Sequence, residues 1–330
     1  MTVESMKLAP VLNVHAALDI TNDIRPSDAD VITQLGFGTE VEALRGHLSG
    51  WIATKDQELR EVLEWQLRGP SKYFRPMTVL ACYRAMHDDD IPDEIMLGAL
   101  LIELFHNVSL IIDDILDHSR KRRGKLTAHC RFGNLRALMT AGYITADGFA
   151  LASKCPRFVP LLAALMKRLG VAECVQWRLR RRVSGVEGWR AIAGEDTGSM
   201  FETCARLGDA SGKLGRFGYL LGILYHGCDD VADVRGLAAL GGGGEEDLRD
   251  GILTLPAALA IRDPTIADLF VDPAEADLPV LGRAFQACLA TAETCLDEIA
   301  DEARCEARAF ARDHAGLLKL VDYTRQLSRR

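Results

Sequence analysis

This sequence lacks an excess of positive charge: 39 Lys and Arg stand against 47 Asp and Glu, a formal net charge of −8. Nucleic-acid binders carry a basic footprint, so no nucleic-acid partner is expected. Aromatic residues are sparse at 6%, and strand signals are sparser, which argues against a sandwich or barrel. The nine cysteines include no Cys-x-x-Cys pair and no regular spacing. They argue against a disulfide framework or a zinc cluster and read as reduced core thiols. The first residues show no basic segment leading into a long apolar one, so no signal peptide is expected and the cytoplasm is the predicted location. The longest apolar stretch, Ile95 to Ile112, is interrupted by Glu103, His106 and Asn107. No transmembrane segment is predicted from it.

What the chain does have is helical periodicity, which predicts an all-α fold. Residues 1–38 read as an N-terminal extension and 39–330 as one helical domain. Helices are expected within 41–67, from Pro76 onward, and over about 94–118, 134–153, 161–182, 186–208, 212–234, 255–261 and 278–327. Gly69-Pro70 breaks the pattern, Pro76 suits a first helical turn, and the run Gly241 to Gly244 reads as a flexible loop.

Two aspartate motifs carry the functional signal. They are Asp113-Asp114-Ile-Leu-Asp117 and Asp229-Asp230-Val-Ala-Asp233, each inside an apolar run. Residues four apart share a helix face, so Asp113 pairs with Asp117 and Asp229 with Asp233. Clustered carboxylates in an apolar setting need a positive partner, and Mg²⁺ takes carboxylate oxygens together with substrate phosphates. Two such helices facing each other would make a cage for a Mg²⁺-held diphosphate. His106 lies two turns before Asp113 on the same face, and Arg122-Arg123-Gly124-Lys125 follows the motif. Guanidinium groups beside a metal motif suit the two grips on one polyanion. Lys72 and Arg75, just before Pro76, form a second basic element at a helix entry.

In these motifs the chain resembles the trans-isoprenyl diphosphate synthases of the polyprenyl synthetase family. The match runs in order through Ser71, Lys72, Arg75 and Pro76; Glu103, His106, Ser109, Leu110, Asp113, Asp114 and Asp117; Arg122, Arg123, Gly124, Thr127 and His129; Gly218, Gly222, Tyr225 and His226; and Asp247, Leu248, Gly251, Thr254, Leu255 and Pro256. The resemblance implies a single isoprenoid synthase-type bundle around an apolar cavity, and usually a homodimer. It implies that Asp113, Asp114, Asp117, Asp229, Asp230 and Asp233 hold Mg²⁺ and carry catalysis. It further implies that Arg122 and Thr197 face an allylic diphosphate, and that Lys72, Arg75, His106 and Arg123 bind isopentenyl diphosphate. His226, in place of the usual Gln, is expected to hydrogen-bond rather than ligate metal, since Mg²⁺ prefers oxygen.

The departures bear on the reaction. The family's Lys-Thr pair is Asp196-Thr197 here, its late Lys is Ile252, and its Phe-Gln is Tyr225-His226. Each charge-assisted hydrogen bond lost at a diphosphate costs on the order of 1.5–3 kcal/mol. Three readings follow. The first is condensation of allylic and isopentenyl diphosphates to a linear all-trans product, C20 or longer because Val108 and Ser109 are not aromatic, with Phe105 and Tyr83 as possible floors. The second is a terpene synthase of the same fold that ionises and cyclises a prenyl diphosphate. The third is a weakly active regulatory subunit. The run of Arg178, Arg180, Arg181 and Arg182 reads first as a solvated basic face, with the alternative that part of it reaches the site and supplies the missing cations. Glu245, Glu246 and Asp247 are candidates to close over the site.

Overall fold

The computed structural model describes residues 28–69, 71–236 and 244–329. Most of the expected N-terminal extension, the glycines at 241–243 and the side chains of Glu245 and Glu246 lie outside the described residues. The first half of the chain builds α1 (Asp28–Leu35), α2 (Gly38–Ala53), α3 (Gln57–Leu67), α4 (Phe74–Met86) and α5 (Asp93–Leu116), then α6 (Ala128–Phe132) and α7 (Asn134–Ala152). The second half builds α8 (Phe158–Leu179), α9 (Gly185–Ala193), α10 (Ser199–Gly208), α11 (Gly215–Val234), α12 (Gly244–Asp250) and α13 (Leu255–Ala260). It closes with α14 (Pro264–Val271), α15 (Leu278–Ala287), α16 (Leu289–Phe310) and α17 (Ala315–Leu327). Strand is confined, among the described residues, to a hairpin of β1 (Lys121–Arg122) and β2 (Lys125–Leu126).

The predicted all-α bundle is therefore present, and two long helices run through its centre. By length and composition α5 could cross a membrane, but 72% of its apolar window is buried inside the bundle. Leu101, Ile102, Leu104 and Phe105 are fully enclosed, so its hydropathy is that of a core helix packed between α4 and α7. The second central helix, α11, packs against α10, α16 and α17. Its glycines set how close. A Cβ at Gly218 would lie 2.4 Å from the Phe201 carbonyl oxygen, and one at Gly222 2.4 Å from that of Thr197. Backbone-to-backbone contact at those two positions brings the next turn of α11, with His226, against residues 196–197.

Where the elements differ from the periodicity, a local cause is visible. The helix expected over 186–208 is split by a π-helical turn, Gly194–Gly198. The Tyr219 hydroxyl occupies the space where a Cβ on Gly194 would sit, 2.1 Å from it. Turns of this kind cluster at functional sites. The helix expected over 278–327 is three helices, α15 to α17. Three helices of the predicted domain were not expected, α6, α12 and α14, although Pro264 at the first position of α14 and Asp263 accepting from Thr265 N–H give a proper start signal there. Val31, Ile32 and Leu35 of α1 join the common core, so the helical body reaches into the segment that reads as an extension.

Candidate active site

The first motif sits at the C-terminal end of α5. Asp114 is buried, Asp113 is partly covered, and Asp117 is exposed as the cap residue of the helix. The hairpin that follows is a two-residue turn, with Arg122 opposite Lys125 and positive φ at both Arg123 (52°) and Gly124 (75°). Such turns fit the natural twist of a hairpin and favour glycine. The turn folds Arg122 back onto the motif, where its Nε donates to Asp114 Oδ1 at 2.8 Å. The charge of Arg122 also acts on Asp113 and on Asp229, so one guanidinium serves both motifs.

The second motif lies on the last turns of α11. Asp230 is buried and held by neutral donors: Trp189 Nε1–H at 2.7 Å and the Leu255 backbone N–H at 2.8 Å, both on Oδ2. Its neighbour is left open, because Asp229 Oδ1 is buried without a hydrogen-bond partner. Asp233 lines a small recess with Asp247, Ile252 and Thr254. One turn before Asp230, His226 Nδ1 lies 3.1 Å from Thr197 Oγ1, which donates to Asp196 Oδ2 at 3.0 Å. The imidazole also lies 3.5 Å from Asp196 and 3.8 Å from Asp230. Burial pulls the His226 pKa down, but Asp230 and Asp196 outweigh it and hold the ring at about 9. The two departures from the family pattern thus form one pair. A carboxylate at 196 and an imidazolium at 226 replace a cation and a neutral amide.

A basic pocket adjoins the first motif. Its wall includes His106, Asp114, Arg122, Arg123, Lys125 and Thr127. Arg75 donates to His106 Nε2 at 3.1 Å. Burial, and then the charges of Arg75, Arg123 and Arg122, hold His106 well below the usual histidine range. With Nε2 accepting, the neutral ring carries its proton on Nδ1, and that atom is buried without a partner. An orphan donor among guanidinium groups is built for an anion. Glu103 fixes the far side, accepting from Ser71 Oγ at 3.2 Å and bearing the charges of Arg75 and Arg123. Lys72 follows Ser71 of this wall, and its charge also acts on Asp229.

Negative charge is concentrated where the two motifs meet. Burial, then Glu173 and Asp196, push Asp113 well above the usual carboxylate range. Burial, then Asp230, raise Asp229 to about 6. Glu173 and Asp247 each reach about 7, by burial first and then by neighbouring aspartates. No three acidic, histidine or cysteine side chains among the described residues are grouped closely enough to hold an ion alone. Mg²⁺ fits the residues that are present nonetheless, because it takes one or two carboxylates and completes its shell with water and phosphate oxygens. The unsatisfied Asp229 Oδ1 and the raised acids are what such an ion relieves.

Several residues near the motifs were not sequence candidates for the site. Glu173, on the helix leading to the arginine run, gave no motif signal. Trp189 likewise carried no motif signal, and its indole N–H holds Asp230. Lys125 was read only as part of a basic loop. It lies over the Trp65 ring at 3.8 Å and donates to the Trp65 carbonyl at 2.7 Å. Asp247, a candidate for closure, does face the cluster, whereas Arg180 and Arg181 turn inward instead of forming a solvated face. Arg180 bonds Asp117 at 3.1 Å and Asp250 at 3.2 Å.

Comparison with known proteins places this geometry. The sequence profile described as Polyprenyl synthetase matches residues 56–274. A nonaprenyl diphosphate synthase of Mycobacterium tuberculosis is 28% identical over 321 residues, covering 88% of this chain and 95% of that one. A sesterfisherol synthase of Neosartorya fischeri is 29% identical over 174 residues, 49% of this chain and 23% of that one. Among solved structures, a polyprenyl synthase from Caulobacter crescentus, complexed with calcium and isoprenyl diphosphate, superposes with a TM-score of 0.78 at 22% identity, covering 92% and 98% of the two chains.

Proposed function

This chain belongs to the polyprenyl synthetase family and is a trans-prenyltransferase of the polyprenyl diphosphate synthase type; from that premise we propose that it joins an allylic diphosphate to isopentenyl diphosphate in the presence of Mg²⁺, giving a linear all-trans product of C20 or longer. The observation that carries this reading is the basic pocket of His106, Arg122 and Arg123 directly beside the acidic cluster. Two diphosphates need two anion sites, one of them shared with metal, and the pocket beside the acidic cluster supports that pairing. Asp113, Asp114, Asp117, Asp229, Asp230 and Asp233 are the residues that would hold Mg²⁺. The ion supplies positive charge to the departing diphosphate when bound. Arg122 reaches both motifs and donates to the same leaving group. The Thr197–His226 pair donates from the α11 side. His106 Nδ1–H, Arg75 and Arg123 hold the acceptor diphosphate, so the isopentenyl double bond meets the allylic carbon as it ionises. The apolar faces of α5 and α7 keep water from the cation.

Product length rests on α5. Val108 and Ser109 leave the first turn below the motif without an aromatic ring. Phe105 lies one turn deeper, its edge against Phe149 with centroids 5.3 Å apart. A homodimer belongs to the same reading. Leu135 (74% exposed) and Met139 (57%) on α7 offer an apolar face to a second copy. The nine thiols, all free, suit the cytoplasm. A second reading, cyclisation without isopentenyl diphosphate, draws on the missing cations at Asp196 and Ile252; the complete acceptor pocket favours condensation.

The test is incubation with Mg²⁺ and farnesyl or geranylgeranyl diphosphate, with and without isopentenyl diphosphate. We expect longer diphosphates only when isopentenyl diphosphate is present. Hydrocarbon or alcohol formed in its absence would establish cyclisation instead.

A further inference from the structure

We propose that Arg180 is a diphosphate-binding residue of this enzyme, held in reserve by Asp117 and Asp250 until the substrate arrives. The inference rests on the reading of the two motifs as a metal-assisted diphosphate site. Helix α8 ends at Leu179, and the chain then turns sharply, with Arg181 at a φ of 58°. The flanking Arg178 and Arg182 are exposed, whereas Arg180 and Arg181 at the turn between them are directed inward. Arg181 donates to the carbonyls of Leu248, Arg249 and Phe270. Gly251, at a φ of 71°, leaves room for it, since a Cβ there would lie 2.4 Å from Arg181 Cδ. The late segment carrying Asp247 is thereby fastened to the end of α8.

Arg180 occupies a different place from its neighbour. Only 17% of its side chain is exposed. Its two Nη atoms bridge Asp117, from the first motif, and Asp250, from the late segment, at 3.1 and 3.2 Å. Its Nε is buried without a partner, and its guanidinium lies over the Trp177 ring at 4.3 Å. Its charge also acts on Glu173, which faces Asp196 and Asp117. A surface ion pair between long side chains is weak and mobile; this guanidinium is instead stacked, mostly enclosed, and left with an unused donor. It stands at the junction of α8, the first motif and the late segment, the side of the cluster that position 196 and position 252 leave without a cation. With Asp117 engaged by a metal ion, the Arg180 donor now bonded to it at 3.1 Å would be available to a diphosphate at the same place. A planar guanidinium offering two donors is the group that suits phosphate oxygens.

Calorimetric titration of inorganic pyrophosphate in Mg²⁺ tests this on the full chain, with wild type, R180K, R180Q and D250N compared. We expect R180Q to weaken binding roughly 10- to 100-fold, R180K to lie between, and D250N to bind within about twofold of wild type or more tightly, because it only removes a competitor. Thermal melting of each metal-free variant identifies any that fails to fold, and R180K then carries the comparison. R180Q binding as well as wild type would overturn the role of Arg180 while leaving the site intact. Equal weakening in D250N and R180Q would overturn it as well, showing a purely structural latch. A wild type that does not bind Mg²⁺–pyrophosphate would overturn the reading of the site itself.

Discussion

The two aspartate motifs share a sequence pattern, yet the protein holds them by different means. In the first, the counter-charges are guanidinium groups that arrive from outside the helix: Arg122 from the hairpin onto Asp114, and Arg180 from the end of α8 onto Asp117. In the second, Asp230 is oriented by neutral donors, the Trp189 indole and the Leu255 amide, and shares the His226 imidazolium, one turn back on its own helix, with Asp196. Neutral donors orient a carboxylate without cancelling its charge, and Asp229 Oδ1 beside Asp230 stays open. On the function proposed above, the second motif would be the readier cation ligand, and the first would exchange partners, its arginines passing to the diphosphate as metal takes the aspartates.

This contrast can be broken by mutation. The largest effect is expected from D229A, which removes the open carboxylate of the second motif: turnover should fall on the order of 10³-fold or more while far-UV dichroism is unchanged. Retained turnover would remove Asp229 from the metal role. Next comes W189F, which deletes the neutral donor to Asp230. A hydrogen bond to a charged group contributes about 1.5–3 kcal/mol, so the variant should lose roughly tenfold or more in Mg²⁺ affinity, read by fluorescence or calorimetric titration. An unchanged affinity would show that the indole merely packs.

A subtler test addresses the His226–Asp196 pair. D196K alone places an ammonium against the imidazolium and should lower activity, whereas D196K in an H226Q background should recover part of the loss. The coupling should be about 0.5–3 kcal/mol in the double-mutant cycle; simple additivity would show that the two residues act separately.

The smallest effect is on stability against pH in metal-free protein. Glu173 and Asp247, raised to about 7, and Asp229, raised to about 6, bind protons in the folded state that the unfolded chain has released. Their contribution is therefore lost as pH rises from about 4 to 7. His226, held at about 9, contributes stability that is present below its unfolded value and is lost as pH rises through 9. Both signs agree, and the depressed His106 opposes them only below its unfolded value of 6.5, so melting temperature should decline from about pH 6.5 to 9, and Mg²⁺ with pyrophosphate should flatten the decline. A rising profile would contradict the cluster described here.

Much of this was legible in the sequence because it is local. Four-residue spacing puts Asp113 and Asp117 on one face, and Arg123-Gly124 spells a tight turn that returns Arg122 to Asp114. The apolar run of α5 reads as a buried helix once Glu103, His106 and Asn107 are seen to share a side. Contacts between distant segments were not legible. Nothing near Asp196 announces that His226 will neutralise it; that pairing depends on α11 touching residues 197–198 through Gly222. The arginine run reads as a solvated face under helical periodicity, and the helix stops inside it, at Leu179, which turns Arg180 and Arg181 inward. The π turn at 194–198 also lies at a contact between distant segments, with Tyr219 of α11 packed against Gly194.

The most direct measurement is pyrophosphate affinity of the wild-type protein in Mg²⁺ and in EDTA. If the second motif stands ready for metal and the first surrenders its arginines to the anion, binding should be at least about 100-fold tighter with Mg²⁺. Equal affinity in the two conditions would contradict a metal-shared diphosphate site between the motifs.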